Sequence, residues 1–440
     1  MKRDYIYVTI SVVVAILLIN PTHILSQPPE ISGYARASIY GGGRNYDFAS
    51  LFAEADIKGN YNNGNALVYA NLRFRSGMSF SERYSQAEIK ELYAGYNGEK
   101  ISIITGYHIV NWNRFEILSP FVNLTPSNPF FLSFEPDDQR LSNFMLRIKS
   151  PITGRIKGEL ILIPVYRESQ YRFDLYDLGE KIVFTDPELP EKRLKNGSVA
   201  LRLEMTLPGA DLSLSLFRGY DPDYGFRMHS FETDNAGGFK VTNGGAPYLR
   251  TSAGADFSLN AGSLIIRGGC VLNLTDKYQN EIHIPYPSIE AVAGTEFSLS
   301  KTIVSAEYSC KRTIGFKELS PPVIAGTADP GEMFSIAADM AEYEFALLNR
   351  KIFRQQARYN HAIALNLSRN FLNDELMINL SAIGNVTSSE LLLRGSLEWR
   401  ISDILSAGAG INHLSGREKS PYYYTKGVIN GLFCQIKVSF

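Results

Sequence analysis

GSVALRLEMTLPGADLSLSLFRGY, residues 197–220, alternates about a central Pro208-Gly209 pair. Val199, Leu201, Leu203, Met205 and Leu207 fall on one face and Ser198, Arg202, Glu204 and Thr206 on the other; Leu212, Leu214 and Leu216 resume the alternation after the turn. Period-two patterning gives a strand one apolar and one polar side, and two such runs about a tight turn form a hairpin.

The same pattern extends along the chain. It predicts strands at 31–41, 47–58, 64–75, 84–97, 101–109, 141–150, 155–166, 197–208, 211–220, 247–260, 262–273, 286–300, 302–313, 359–371, 375–386, 389–401, 403–413 and 427–440. Connections alternate between brief turns and long segments, the longest at 110–140, 167–196, 221–246 and 314–358. Each brief turn follows an even strand, so both ends of the sheet reach the same side. The expected fold is therefore all-β: a transmembrane antiparallel barrel of about 18 strands, within a range of 16–20, with short periplasmic turns and long external loops. FSIAADMAEYEFALLNRKIF, within 314–358, reads either as a surface helix or as a further strand that needs a partner.

Length and composition agree with one closed sheet. Four hundred and forty residues would otherwise suggest two or three soluble domains. The 25 Tyr and 25 Phe exclude a disordered chain and instead suit the aromatic girdles of a barrel. Three cysteines exclude a disulfide scaffold, and 44 basic against 45 acidic residues exclude a nucleic-acid partner. Lys2 and Arg3, an apolar run to Ile19 and a small residue at Ser26 predict a signal peptide over 1–26, leaving 27–440 as a single barrel. An N-terminal anchor is the alternative, although the run is short for one.

The last strand, GVINGLFCQIKVSF, puts Leu432, Cys434, Ile436, Val438 and the terminal Phe440 on one face. This ending resembles the insertion signal read by the bacterial outer-membrane barrel assembly machinery. That machinery, outer-membrane lipid and small solutes are the partners the reading implies, with the oligomeric state, monomer or trimer, left open.

With apolar faces toward lipid, the lumen receives Arg36, Arg73, Arg75, Arg147, Lys149, Lys157, Arg202, Arg250, Arg267 and Arg394, together with Glu204, Glu290 and Glu296. Two readings follow: a basic lumen that favours anions, or opposite charges that pair across strands and hold the wall. An 18-stranded barrel encloses an aqueous channel that something must narrow. The segment 110–140 is long, rich in Phe and Pro, and too apolar for a solvated loop. It is expected to fold inward as a constriction, presenting Trp112, Arg114, Glu116 and Asp137 or Asp138.

IKELYAGY at 89–96, GYHIVNW at 106–112, NLTPSNPFF at 123–131, RLSNFMLRI at 140–148 and ELILIPVYRES at 159–169 resemble an uncharacterised family of Gram-negative porin-like barrels similar to alginate-export proteins. Residues 373–386 and 397–416 share the likeness. Such barrels place Gly directly after the Trp and an Asp shortly beyond, whereas Asn113 and Arg114 follow Trp112 here and Glu116 is the nearest carboxylate. The resemblance implies a passive channel or exporter and names no substrate.

No enzyme, cofactor or metal site is expected. His108, His229, His283, His361 and His413 are scattered, and no metalloprotease, nucleophile-elbow or phosphate-loop motif occurs. Asp221-Pro222-Asp223 and Asp329-Pro330-Gly331 read as turns rather than Ca²⁺ loops. The function predicted is passive diffusion or export of small hydrophilic solutes, anionic ones under the first of the two readings of the lumen charges. The alternative is a plugged structural or adhesive barrel that binds a partner through its long external loops.

Overall fold

A computed structural model of the chain describes residues 28–42, 48–80, 82–121, 124–176, 181–233, 238–323 and 329–440. The expected signal peptide, 1–26, lies outside the described residues. The strands are β1 (Glu30–Gly42), β2 (Phe48–Asn63), β3 (Ala66–Ser79), β4 (Glu82–Asn97), β5 (Ser102–His108), β6 (Asn143–Pro151) and β7 (Ile156–Ile163). Next come β8 (Ile182–Thr185), β9 (Ser198–Leu207), β10 (Ala210–Tyr220), β11 (Gly225–Thr233), β12 (Phe239–Ala246), β13 (Leu249–Ala261) and β14 (Leu264–Thr275). The last are β15 (Ser288–Leu299), β16 (Thr302–Thr313), β17 (Tyr359–Phe371), β18 (Leu376–Asn385), β19 (Glu390–Arg400), β20 (Leu405–Ser415) and β21 (Gly431–Ser439).

Eighteen of these, all but β8, β11 and β12, form one antiparallel sheet. The sheet closes because β1 pairs on one side with β2 and on the other with β21. Closure leaves no unpaired edge, which a spanning sheet requires in lipid. At the seam the Gly33 and Phe440 backbones exchange hydrogen bonds of 2.9 and 3.0 Å. Leu432, Ile436, Val438 and Phe440 are exposed on the outer surface. Each of the eighteen expected strands matches a barrel strand, with ends displaced by a few residues. Turns such as Pro208-Gly209, where Gly209 has φ 75°, follow even members of the ring.

On the 197–220 hairpin, Leu201, Leu203, Leu214 and Leu216 are exposed outside while Arg202 and Ser213 are buried inside. The apolar-out rule fails on the external half of β6, β7, β9 and β10. There Met145, Ile161, Ile163, Ala200 and Phe217 point inward and are buried against Val110, Trp112 and Leu124. The wall is apolar on both sides at that level because protein, not water, covers its inner face.

The external end carries a small cap. β11 and β12 pair antiparallel, and β8 joins β12 in parallel. The segment within 314–358 resolves as helix Pro330–Ile352, capped by Asp329, whose side chain accepts from the Gly331 N–H, with Pro330 in the first turn. Phe345 and Leu348, three residues apart, bury against Phe173, Phe226 and Val241. Asn349, 1% exposed, ties the helix down by donating to the Phe226 and Ile282 carbonyls at 2.8 and 2.9 Å and accepting from the Phe226 N–H at 2.7 Å. Stretches 167–196 and 221–246, read as loops, thus contain strands. β8 is only four residues long, and a bulge between Met228 and Ser230 breaks the alternation of β11.

A Cβ at Gly33 would lie 2.2 Å from the Asp56 carbonyl and 2.8 Å from the Phe440 ring. Gly33→Val should therefore destabilise the seam by about 1–3 kcal/mol. The folded gel band of unboiled protein should then disappear at a lower temperature than in the wild type, and an unchanged transition would contradict the closure geometry.

Candidate functional site

Residues 110–140 join β5 to its neighbour β6, yet they bond to side chains around the whole ring. Trp112 Nε1 donates to Glu159 on β7 at 3.0 Å, and the Trp112 carbonyl accepts from Arg202 on β9 at 2.6 Å. Arg114 bonds Asp256 on β13 and reaches Glu204 on β9 at 2.6 Å. Glu307 on β16 accepts three successive backbone N–H groups, those of Glu116 (2.6 Å), Ile117 (3.2 Å) and Leu118 (2.6 Å). Farther along, Arg394 on β19 donates to the Ser133 and Phe134 carbonyls at 3.3 and 2.6 Å, and Lys437 on β21 pairs with Glu135 at 2.8 Å. Lys90 on β4 donates to the carbonyls of Asp138, at 2.8 Å, and Arg140.

The densest contact is at Asp138, in a short 3₁₀ turn over Pro136–Gln139. Its two carboxylate oxygens take Arg36 of β1 at 2.5 Å and Arg73 of β3 at 2.6 Å. Glu54 on β2 continues the network, pairing with Arg36 at 2.8 Å and Arg75 at 2.6 Å. The Arg75 guanidinium lies 3.6 Å from the ring centre of Phe52 on the wall and 3.5 Å from that of Phe131 on the loop. Burial alone would raise the Asp138 carboxyl, but Arg36, Arg73 and the Ser133 hydroxyl hold it well below the usual carboxylate range. Glu116 moves the other way, because partial burial and the neighbouring Glu296 carboxylate push it up against the counter-pull of Ser305 and Arg267.

Glycines on the wall admit the loop's aromatic rings. A Cβ at Gly254 would lie 2.7 Å from the Phe121 ring, and one at Gly408 would lie 2.6 Å from that of Phe134. Phe115, Leu118 and Phe121 pack with Val271, Val292, Ala362 and Ala364, while Leu132 and Phe134 pack with Tyr40, Phe52 and Phe433.

These contacts divide the expected lumen residues into two groups. Arg36, Arg73, Arg75, Arg202 and Glu290 are buried. Arg147 pairs with Glu159, Arg250 with Asp221, and Arg267 with Glu296. Arg394 is occupied by loop carbonyls. Lys149 and Lys157 are exposed and lie opposite Glu159 and Glu204 in register, with no carboxylate within ion-pair distance among the described residues. Glu204 is 40% exposed at its side chain while pairing with Arg114. Within the loop, Trp112 is buried in the apolar cluster on the inner wall, Glu116 is exposed, Asp137 is exposed and pairs with Arg140, and Asp138 is the clamp.

Two clamping residues carry signals that alternation hides. Lys90 sits at a bulge, where Asn71 pairs with Glu91 and Leu72 with Ile89, so the inward turn of its side chain escapes a period-two count. Glu307 alternates with the apolar residues of its strand, but nothing local marks it as an acceptor for a segment 190 residues away.

No protein-family model and no curated protein matches the sequence. Solved structures share the fold. OccK3 (OpdO) of Pseudomonas aeruginosa aligns with a TM-score of 0.52 at 12% identity over 96% of this chain and 98% of its own. OccK8 (OprE) of Pseudomonas aeruginosa gives 0.53 at 9% identity over 94% and 97%. OccAB2 of Acinetobacter baumannii gives 0.50 at 10% over 94% and 97%. All three match nearly end to end, which establishes the barrel architecture.

Removing the central carboxylate should leave Arg36 and Arg73 buried without compensation. Asp138→Ala is expected to cost about 3–5 kcal/mol, read as an earlier loss of the folded gel band. The folded-state pKa is depressed, so this contribution is present above the unfolded value, near 3.9, and is lost only as pH falls through the lower folded one. The wild-type transition should therefore keep the clamp's contribution at pH 5, and a clamp lost between pH 7 and 5 would contradict the assignment.

Proposed function

We propose that the chain is a Gram-negative outer-membrane channel for passive diffusion of small hydrophilic solutes, narrowed by residues 110–140. The observation that carries this reading is the placement of that segment: it crosses an 18-stranded barrel, is fastened at intervals around the ring, and leaves Glu116, Glu204, Lys149 and Lys157 exposed. A barrel of this strand number has room for a channel, and a clamped loop sets its width without a moving part. The motif resemblance to alginate-export proteins fits this reading and names no solute.

Charge selectivity follows from what the loop leaves free. Pairing neutralises most of the basic residues on the inner face. Arg394 keeps its charge against loop carbonyls, and at the periplasmic end Lys149, Arg155 and Lys157 flank one turn with no carboxylate within ion-pair distance among the described residues. A mild preference for anions is the consequence we infer, weaker than the raw excess of basic residues would give.

The cap supports a second reading, a closed barrel whose external sheet and helix bind a partner. Planar-bilayer recording separates the two. A channel gives discrete conductance steps that grow when residues 113–135 are replaced by a short Gly-Ser linker, and a plugged structural barrel gives none in its wild-type form.

In a KCl gradient the reversal potential of the wild type should report a preference for chloride. Lys149→Gln combined with Lys157→Gln should move it toward zero. Lowering the pH should strengthen the chloride preference sooner than an ordinary glutamate would, because Glu116 is raised and loses its negative charge early. Glu116→Gln should remove that early component. Cation selectivity in the wild type would reject the charge assignment.

A further inference from the structure

On the external side of the clamped loop, the wall, the loop and the cap surround a partly open cavity of about 200 Å³. Strands β13 to β16 supply one side, Ser119 to Phe121 the floor, and Phe353 to Gln355, just past the cap helix, the roof. Its lining is built from charged groups that are already wired together. Asp221 accepts from the Tyr248 hydroxyl at 2.9 Å, pairs with Arg250 at 2.7 Å and receives the Asp223 N–H at 3.0 Å. Asp223 accepts from Tyr171 at 2.7 Å. Across the cavity, Glu290 is bonded by Arg354 and by Ser309 at 3.0 Å, with Lys311 3.8 Å away. Arg250 Nε is buried without a hydrogen-bond partner.

Three carboxylates thus face three cations, and the rings of Phe121, Tyr248 and Phe353 stand among them. A charged solute would have to separate an existing pair and leave one member buried and uncompensated. An apolar one would strip water from the polar lining and return no hydrogen bond. A neutral solute rich in hydroxyls suits the lining better, since each hydroxyl can donate to a carboxylate while accepting from a guanidinium, and charge-assisted bonds are the strong ones. Its carbon–hydrogen faces can lie on the rings. The volume falls below the roughly 300–1,000 Å³ of sites for drug-sized ligands, which suits an occupant of a single small ring.

We propose that this cavity binds a small, uncharged, polyhydroxylated solute of monosaccharide size. The proposal deepens the channel reading and rests on it for the statement that the bound molecule is in transit; binding itself can be measured without conduction. Saturation-transfer NMR on the detergent-purified full chain would use D-glucose, D-galactose and D-xylose as probes, with acetate and glycine as the charged and zwitterionic comparisons. At least one sugar should give a saturable signal that neither acetate nor glycine displaces. Arg354→Gln and Tyr248→Phe should each weaken it about tenfold, the loss expected for one hydrogen bond involving a charged partner. The folded gel band checks each variant, and the wild-type ranking of the five probes decides the matter even where a variant fails to fold. Absence of saturation by all three sugars, displacement by acetate or glycine, or unchanged affinity in both folded variants would overturn the site. Absence of conductance in a preparation that still binds sugar would instead count against the channel reading alone.

Discussion

A peptide segment carried into the interior of a membrane barrel brings N–H and C=O groups that regular secondary structure no longer satisfies, and leaving them unpaired away from water is costly. The interior of this barrel is organised around that requirement. Glu307 takes three consecutive N–H groups, Arg394 and Lys90 each hold two carbonyls, and Asp138 is seated between Arg36 and Arg73. These inward charges read as a pore lining when the strands are considered alone. In the folded chain they chiefly fix a loop. Buried ion pairs of this kind add little net stability compared with a well-packed apolar core, but they penalise every alternative arrangement that would leave a charge unpaired. A network of paired charges therefore suits a loop that must hold one position.

Packing works with the same constraint. The inner wall is stripped to glycine or alanine where loop rings approach, at Gly254, Gly408 and Ala364, and is apolar where Trp112 and Leu124 rest. Inward isoleucines such as Ile161 and Ile163 would be out of place in a water-filled lumen and are explained by the loop that covers them. The loop in turn supports the cavity above it, whose floor is Ser119 to Phe121.

The sheet was legible in the sequence because most of each barrel strand keeps a two-residue period and the brief turns come after even strands. Both properties are local, so one chain suffices to read them. The cap was not legible: β8 is too short, β11 is bulged, and helix Pro330–Ile352 could be read two ways until its Phe345 and Leu348 found a sheet to cover. The loop's length and composition were visible, and so was the charge of the residues facing it. Which carboxylate meets which donor was not, since Asp138 and the Arg36 guanidinium are 102 residues apart and Glu307 and the Glu116 N–H are 191 apart. Asp137 and its neighbour Asp138 look equivalent in sequence, yet one is exposed and the other sits in the clamp.

Residue-level hydrogen exchange at the Glu116, Ile117 and Leu118 amides tests the clamped loop most directly. All three are bonded to the Glu307 carboxylate, so their protection should equal that of the barrel strands and should collapse in Glu307→Ala while β-sheet amides stay protected. Exchange of the wild-type amides at the rate of an unstructured loop would contradict the account.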